Sequence, residues 1–122
     1  MDVLEFRDAT EWDTWLTAHG AEAPEAWLRI GKRRSGLELI TIEPALEVVL
    51  CHGWIDGLRR SLDEGSFLQR YSPRTKRSPW SRINAAMAER LIAEERMTPA
   101  GLAAIDAARA DGRWPDGEAP RP

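Results

Sequence analysis

The residues best suited to chemistry lie in "YSPRTKRSPWSRIN", residues 71–84. Arg74, Lys76, Arg77 and Arg82 crowd there among three serines, two prolines and a tryptophan, with no acid. Arginine offers a planar fork of donors to carboxylate or phosphate, and lysine a compact point charge. A helix that begins just after the run adds free backbone N–H groups, which also attract anions. Ser78 and Ser81 suit capping or ligand donation, and Asn84 sits one turn into that helix. Pro73 and Pro79 stiffen the loop in advance of any ligand. An anion-accepting site is the expectation. The structural alternative is a solvated loop whose arginines pair with the acidic N-terminal segment.

"HGWIDGL", residues 52–58, is the second candidate. On a strand, Trp54 and Asp56 share a face and Ile55 points away. An indole beside a carboxylate suits a pocket floor, with Asp56 as general base or orienting group. The plain alternative makes Asp56 a salt-bridge or turn residue and Trp54 core. Tyr71 is the other acid–base candidate, and Arg70 adds a further clamp for charge. Arginines near Asp56 would lower its pKa and favour a base. Cys51 lies in the apolar run "ALEVVLC" and reads as a buried thiol. His19 and His52 are too isolated for a metal site, and no cluster has zinc or calcium spacing. No metal and no cofactor are expected. There is no G-x-S-x-G elbow and no glycine-rich phosphate loop.

These side chains need a scaffold, and 122 residues suit one domain with one core. The net charge of −3 gives no global reason to bind nucleic acid or an anionic membrane. It conceals an asymmetry: residues 1–28 carry seven acids against Arg7 alone, and residues 57–82 carry seven bases against Asp63 and Glu64. No apolar run approaches the roughly 20 residues that span a bilayer. The acidic, mixed start does not read as a signal peptide, so the expected location is cytoplasmic.

The pattern predicts a short edge strand at "VLEFRD" and a helix over "DATEWDTWLTAHG", capped by Asp8 or Thr10. "AWLRIGKR" alternates as a strand, and "LELIT" extends it as a hairpin. "TIEPALEVVLCHG" is a helix apolar almost all round, hence central, capped by Thr41 and ended by Gly53. "WIDGLRRSLD" and "SFLQRYS" pair around "DEG". A helix from about Pro79 to Arg96 buries Trp80, Ile83, Met87 and Leu91. "TPAGLAAIDAARADG" is the last helix, with Thr98 as cap, Pro99 at its first position and Gly112 as its stop. The fold class expected is α+β, a small antiparallel sheet packed with helices and a helical C-terminal half. One domain over 1–114 and a flexible tail over 115–122 complete the expectation.

Several stretches together carry a family resemblance: Trp15–Leu16, "AWLRIGKR", "CHGWIDG", "RYSPRTKRSPWSRIN", "ERM", "PAGLAAI" and "DGRW". In this order and spacing they resemble the YdeI/OmpD-associated (bacteriocin-protection) family of bacterial proteins, from Trp12 to Trp114. The resemblance implies a small cytosolic α+β protein without a settled general activity. It maps a polar motif onto Trp54, Asp56 and Gly57, and onto Arg70, Tyr71, Pro73, Arg74, Ser78, Trp80, Ser81 and Asn84. Typical members continue past "GRW" with a further helical segment; either that segment is dispensable here or the partner or role differs, and if it closes the pocket in those members, a site here would be more open.

The functional expectation is a small-molecule site for a carboxylate or phosphate. Trp54, Arg70, Arg74, Lys76, Ser78, Trp80, Ser81 and Asn84 would bind, and Asp56 and Tyr71 would carry any metal-independent acid–base step of isomerase, lyase or cyclase type. The alternative is a non-catalytic interaction or stress-response adaptor, docking an acidic protein partner or a second copy. A nucleic-acid module, with Tyr71 and Trp80 stacking bases, ranks last because the domain is acidic overall.

Overall fold

The computed structural model describes residues 1–115, so the tail expected over 115–122 lies, beyond Pro115, outside the described residues. Eight elements follow in order: β1 (Val3–Leu4), α1 (Ala9–His19), β2 (Ala26–Gly31), α2 (Ile42–Cys51), β3 (Trp54–Ser61), β4 (Ser66–Pro73), α3 (Arg82–Ala93) and α4 (Pro99–Ala110). The fold is α+β, with a four-stranded sheet in the order β1-β2-β4-β3. The β2–β4 and β3–β4 pairs are antiparallel, and β1 joins parallel to β2. The short first strand thus makes mixed a sheet expected to be antiparallel throughout. "LELIT" forms no strand, because β2 takes β4 as its partner along Ala26–Gly31. The segment instead crosses back, where Gly31 N–H donates to Ile40 O (2.9 Å) and Ile40 N–H to Phe6 O (2.8 Å).

Alternation along β2 sends Ala26, Leu28 and Ile30 into the core with Trp12, Leu16, Ala45, Val49, Trp54 and Tyr71. Trp12 anchors α1 to α2 through its indole N–H, which donates to Ala45 O at 3.2 Å. A second core joins Leu50 and Cys51 of α2 to Trp80, Ala88, Leu91, Ile105 and Ala108. Helix α2 therefore stands between two apolar clusters, as its all-round apolar sequence requires. Each of its fully buried valine and leucine side chains contributes about 1.5–3 kcal/mol of transfer free energy.

Caps define the helix ends. Asp8 accepts from Glu11 N–H, Ser81 from Asn84 N–H and Thr98 from Gly101 N–H. Thr41 holds the cap position of α2 without a side-chain hydrogen bond. Helix α3 starts at Arg82 rather than near Pro79, because Ser81 takes the cap. Its expected apolar face is corrected at one place: Ile83 is 76% exposed, and Ala85 and Ala88 take the inner positions.

The end of α2 and the start of α4 are pressed together. Thr98 donates both its N–H (3.0 Å) and its hydroxyl (2.6 Å) to Cys51 O. A Cβ at Gly101 would collide with that carbonyl, lying 2.8 Å from its carbon. Gly53 turns the chain from α2 into β3 at φ +76°, and a Cβ there would sit 2.8 Å from Ala100 O. This contact fixes α4 beside the start of β3, where the basic loop also arrives.

Candidate functional site

The loop after β4 is braced by its own polar groups. Arg74 N–H donates to Gly53 O (3.1 Å), and Trp54 pairs with Pro73 across the β3–β4 ladder. The tryptophan–aspartate strand and the cationic loop are therefore neighbours. Ser78 hydroxyl accepts from Thr75 N–H at 2.8 Å, which closes the loop on itself. From beyond α4, Arg113 donates through Nη1 to Thr75 O (3.3 Å) and Ser78 O (2.9 Å). Its Nε is held by Asp111 at 2.8–2.9 Å.

Arg74 is the pivot. Its guanidinium carbon lies 3.5 Å from the centre of the Trp80 ring, a close cation–π contact. Nε donates to Trp54 O (3.2 Å) and Nη1 to Pro79 O (2.8 Å). Nη2 and the Trp80 indole N–H are both buried without a hydrogen-bond partner. Burial, with Arg113 adding repulsion and Asp56 opposing both, pulls the Arg74 pKa down to about 10. At neutral pH this arginine is charged and short of compensating negative charge. Trp114 also packs on Trp80, with ring centres 4.8 Å apart, and Arg109 lies over Trp114 at 4.9 Å.

These groups border a cleft of about 290 Å³ lined by Arg74, Thr75, Lys76, Trp80, Ala104, Ala107 and Arg113. Three of the seven are cations, and none is a carboxylate. Small α4 side chains form the apolar floor. Lys76, Arg77 and Arg82 make no ion pair among the described residues. A larger hollow of about 440 Å³ beside the start of α2 also has two cations, Lys32 and Arg33. Those are engaged: Arg33 pairs with Glu43 at 2.9 Å, and Lys32 donates to Asp63 O at 3.1 Å.

Of the expected site residues, the structure brings Arg74, Lys76 and Trp80 to the cleft, with Ser78 buried just behind as a brace. Ser81 is used as a cap. Asn84 is half-buried on α3 and does not line the cleft. Arg70 is taken by Glu25 (2.6 Å). Trp54 is core, edge-on to Trp12 and Trp15. Tyr71 is fully buried against Trp12, and burial, with Asp56 nearby, pushes its hydroxyl pKa well up. That hydroxyl has no partner and lies outside the cleft lining, so Tyr71 is not placed for acid–base work there. Asp56 is exposed opposite it in the ladder, outside the cleft lining but near enough to Arg74 to oppose the drop in its pKa.

One charged contributor to the cleft is not visible in the basic run, nor is one structural residue outside the lining. Arg113 lies 35 residues beyond Ser78, after two further helices, and the α2–α4 contact helps return it to the loop. Gln69 looks in the sequence like an ordinary strand residue. It fills a β-bulge where Gly57 and Leu58 oppose a single residue, donating to Gly57 O (2.9 Å) and Leu58 O (3.1 Å) while accepting from Arg59 Nε (3.1 Å).

The family described as a domain of unknown function (DUF8412) matches residues 4–104. This chain belongs to that family. No curated protein and no solved structure matches it. The DUF8412 span takes in the whole sheet from Leu4 onward, Arg74, Lys76, Trp80 and Ala104, and stops before Ala107 and Arg113. Among the described residues of this DUF8412 protein, no helix is long and apolar enough to cross a membrane. Nor do His, Cys, Asp and Glu side chains gather there in a group able to hold a metal ion.

Proposed function

We propose that this chain binds a small molecule bearing a carboxylate or phosphate in the cleft between the basic loop and α4. One observation carries the reading: three cations border a single cleft whose lining contains no acid, and one of them, the part-buried Arg74, makes no ion pair among the described residues. Trp80, with its buried indole N–H unpartnered, forms one wall. The loop is already held by internal hydrogen bonds, so binding costs little ordering. Any acid–base step would fall to Asp56, which is exposed but outside the cleft lining, and so only on a substrate long enough to reach it. A cytoplasmic location, a bacterial origin and kinship with the YdeI/OmpD-associated family belong to the same proposal; the buried free thiol of Cys51 suits a reducing compartment.

A second reading is a docking surface for an acidic protein partner, without chemistry. It is favoured by Lys76, Arg77 and Arg82 lying exposed near Ile83.

A thermal-shift panel of small carboxylates and phosphates at fixed ionic strength separates the two. A ligand that binds only the folded state raises the melting temperature by mass action. The small-molecule reading expects at least one anion to stabilise the wild type, and Lys76→Glu to abolish the effect. An unresponsive wild type would favour the docking surface.

A further inference from the structure

We infer, resting on the anion-binding reading above, that the occupant of the Arg74–Lys76–Arg113 cleft is a phosphate monoester dianion rather than a carboxylate. Arginine grips a carboxylate best through two parallel N–H groups. Neither arginine here presents such a pair to the cleft. Arg74 commits Nε and Nη1 to the carbonyls of Trp54 and Pro79. Arg113 commits Nε to Asp111 and Nη1 to the carbonyls of Thr75 and Ser78. Arg113 is left with Nη2, whereas the unpartnered Nη2 of Arg74 is buried, so Arg74 acts on the cleft through its charge. Lys76 adds a rotatable ammonium from the exposed side of the loop.

The remaining donors are thus single groups on two separate side chains, Arg113 and Lys76, with the charge of Arg74 behind them. A carboxylate has two oxygens in one plane. A phosphate monoester turns three oxygens in three directions, which suits point donors better than a fork. The charge count allows a dianion. Three lining cations less Asp111, which already offsets Arg113, leave two positive charges, partly offset by Asp56 near Arg74, and a phosphate monoester carries about −1.5 to −2 at pH 7. The methyl groups of Ala104 and Ala107 would meet the apolar part of the ester.

Calorimetric titration with phenyl phosphate and with phthalate, a dicarboxylate dianion of similar size, tests this at fixed ionic strength. Phenyl phosphate is expected to bind about tenfold tighter, and to weaken severalfold from pH 7.5 to 5.5 as its second proton (pKa about 6) returns. Lys76→Glu should lose about tenfold or more, whereas Arg77→Glu, a matched charge change outside the cleft lining, should lose less than about threefold. Phthalate binding as tightly as phenyl phosphate would overturn the phosphate assignment and leave the anion reading standing. If neither compound binds, both fall. Equal losses in the two variants would replace the cleft with diffuse surface charge and overturn the assignment.

Discussion

Arg70 and Arg74 sit four residues apart at the end of one strand and its loop, and their surroundings are opposite. The face of the sheet turned away from the helices is matched in charge. Arg70 meets Glu25, and Arg29 meets Glu5 (3.5 Å) and Asp63 (3.2 Å); Arg60, over the Trp27 ring at 5.4 Å, is the exception and has no acidic partner among the described residues. The loop end is not matched. Arg74 is held on carbonyls and an indole, and Lys76, Arg77 and Arg82 have no carboxylate partner among the described residues. Exposed pairs of the first kind contribute little to stability.

The sharpest way to break the comparison is to move α4. Gly101→Ala puts a methyl group against the Cys51 carbonyl, where backbone rather than a flexible side chain stands in the way. A loss of at least about 3 kcal/mol in urea denaturation is expected. A change under about 1 kcal/mol would mean that the α2–α4 contact yields easily and does not fix the cleft.

Next in size is the contrast between the two arginines. Arg74→Ala removes the stacking on Trp80 and two charge-assisted hydrogen bonds, and should cost roughly 2–4 kcal/mol. Arg70→Ala removes one partly exposed ion pair and should cost about 1 kcal/mol or less. Equal costs would show that the two environments differ in appearance only. The same contrast makes Lys76 the better probe of binding, because Arg74 supports the fold as well as the cleft.

The smallest effect is acid sensitivity in the matched region. Hydrogen bonds from Ser66 hydroxyl, Ser66 N–H and Gly65 N–H, with Arg29 nearby, hold the Asp63 carboxyl below its ordinary value. A lowered folded-state pKa means that this group stabilises the fold above the unfolded value of about 3.9, and that the contribution drains away as pH falls through the folded value. Melting curves between about pH 5 and 2.5 should decline less steeply for Asp63→Asn than for wild type. Parallel slopes would remove Asp63 from the acid response.

Much of the fold was legible because the signals were local. Asp8, Thr98 and Pro99 mark helix starts by chemistry that needs no distant partner. The apolar run of α2 declared its central place. "LELIT" misled because a plausible alternating segment lost its neighbour to β4, and pairing partners are settled by tertiary competition. Ile83 misled because the buried stripe of α3 runs through Ala85, Ala88 and Leu91, and Ile83 lies off it in the first turn. In the site, a run of cations without acids was visible in sequence, as was its nearness to a helix start. That Arg70 would find Glu25, 45 residues away, and that Arg113 would come back to the loop, was not. Both depend on contacts between elements far apart in the chain. Tyr71 shows the limit most clearly, since only strand register decides whether a tyrosine faces the core or the ligand.

The most direct test follows the tryptophan indole and arginine side-chain N–H resonances by two-dimensional NMR while phenyl phosphate is added at constant ionic strength. Trp80 should shift in a saturable way together with Arg113, and Trp27 on the charge-matched face should stay still. Saturable shifts at Trp27 with Trp80 unmoved, or no saturable shift at either, would contradict an anion site at the loop end.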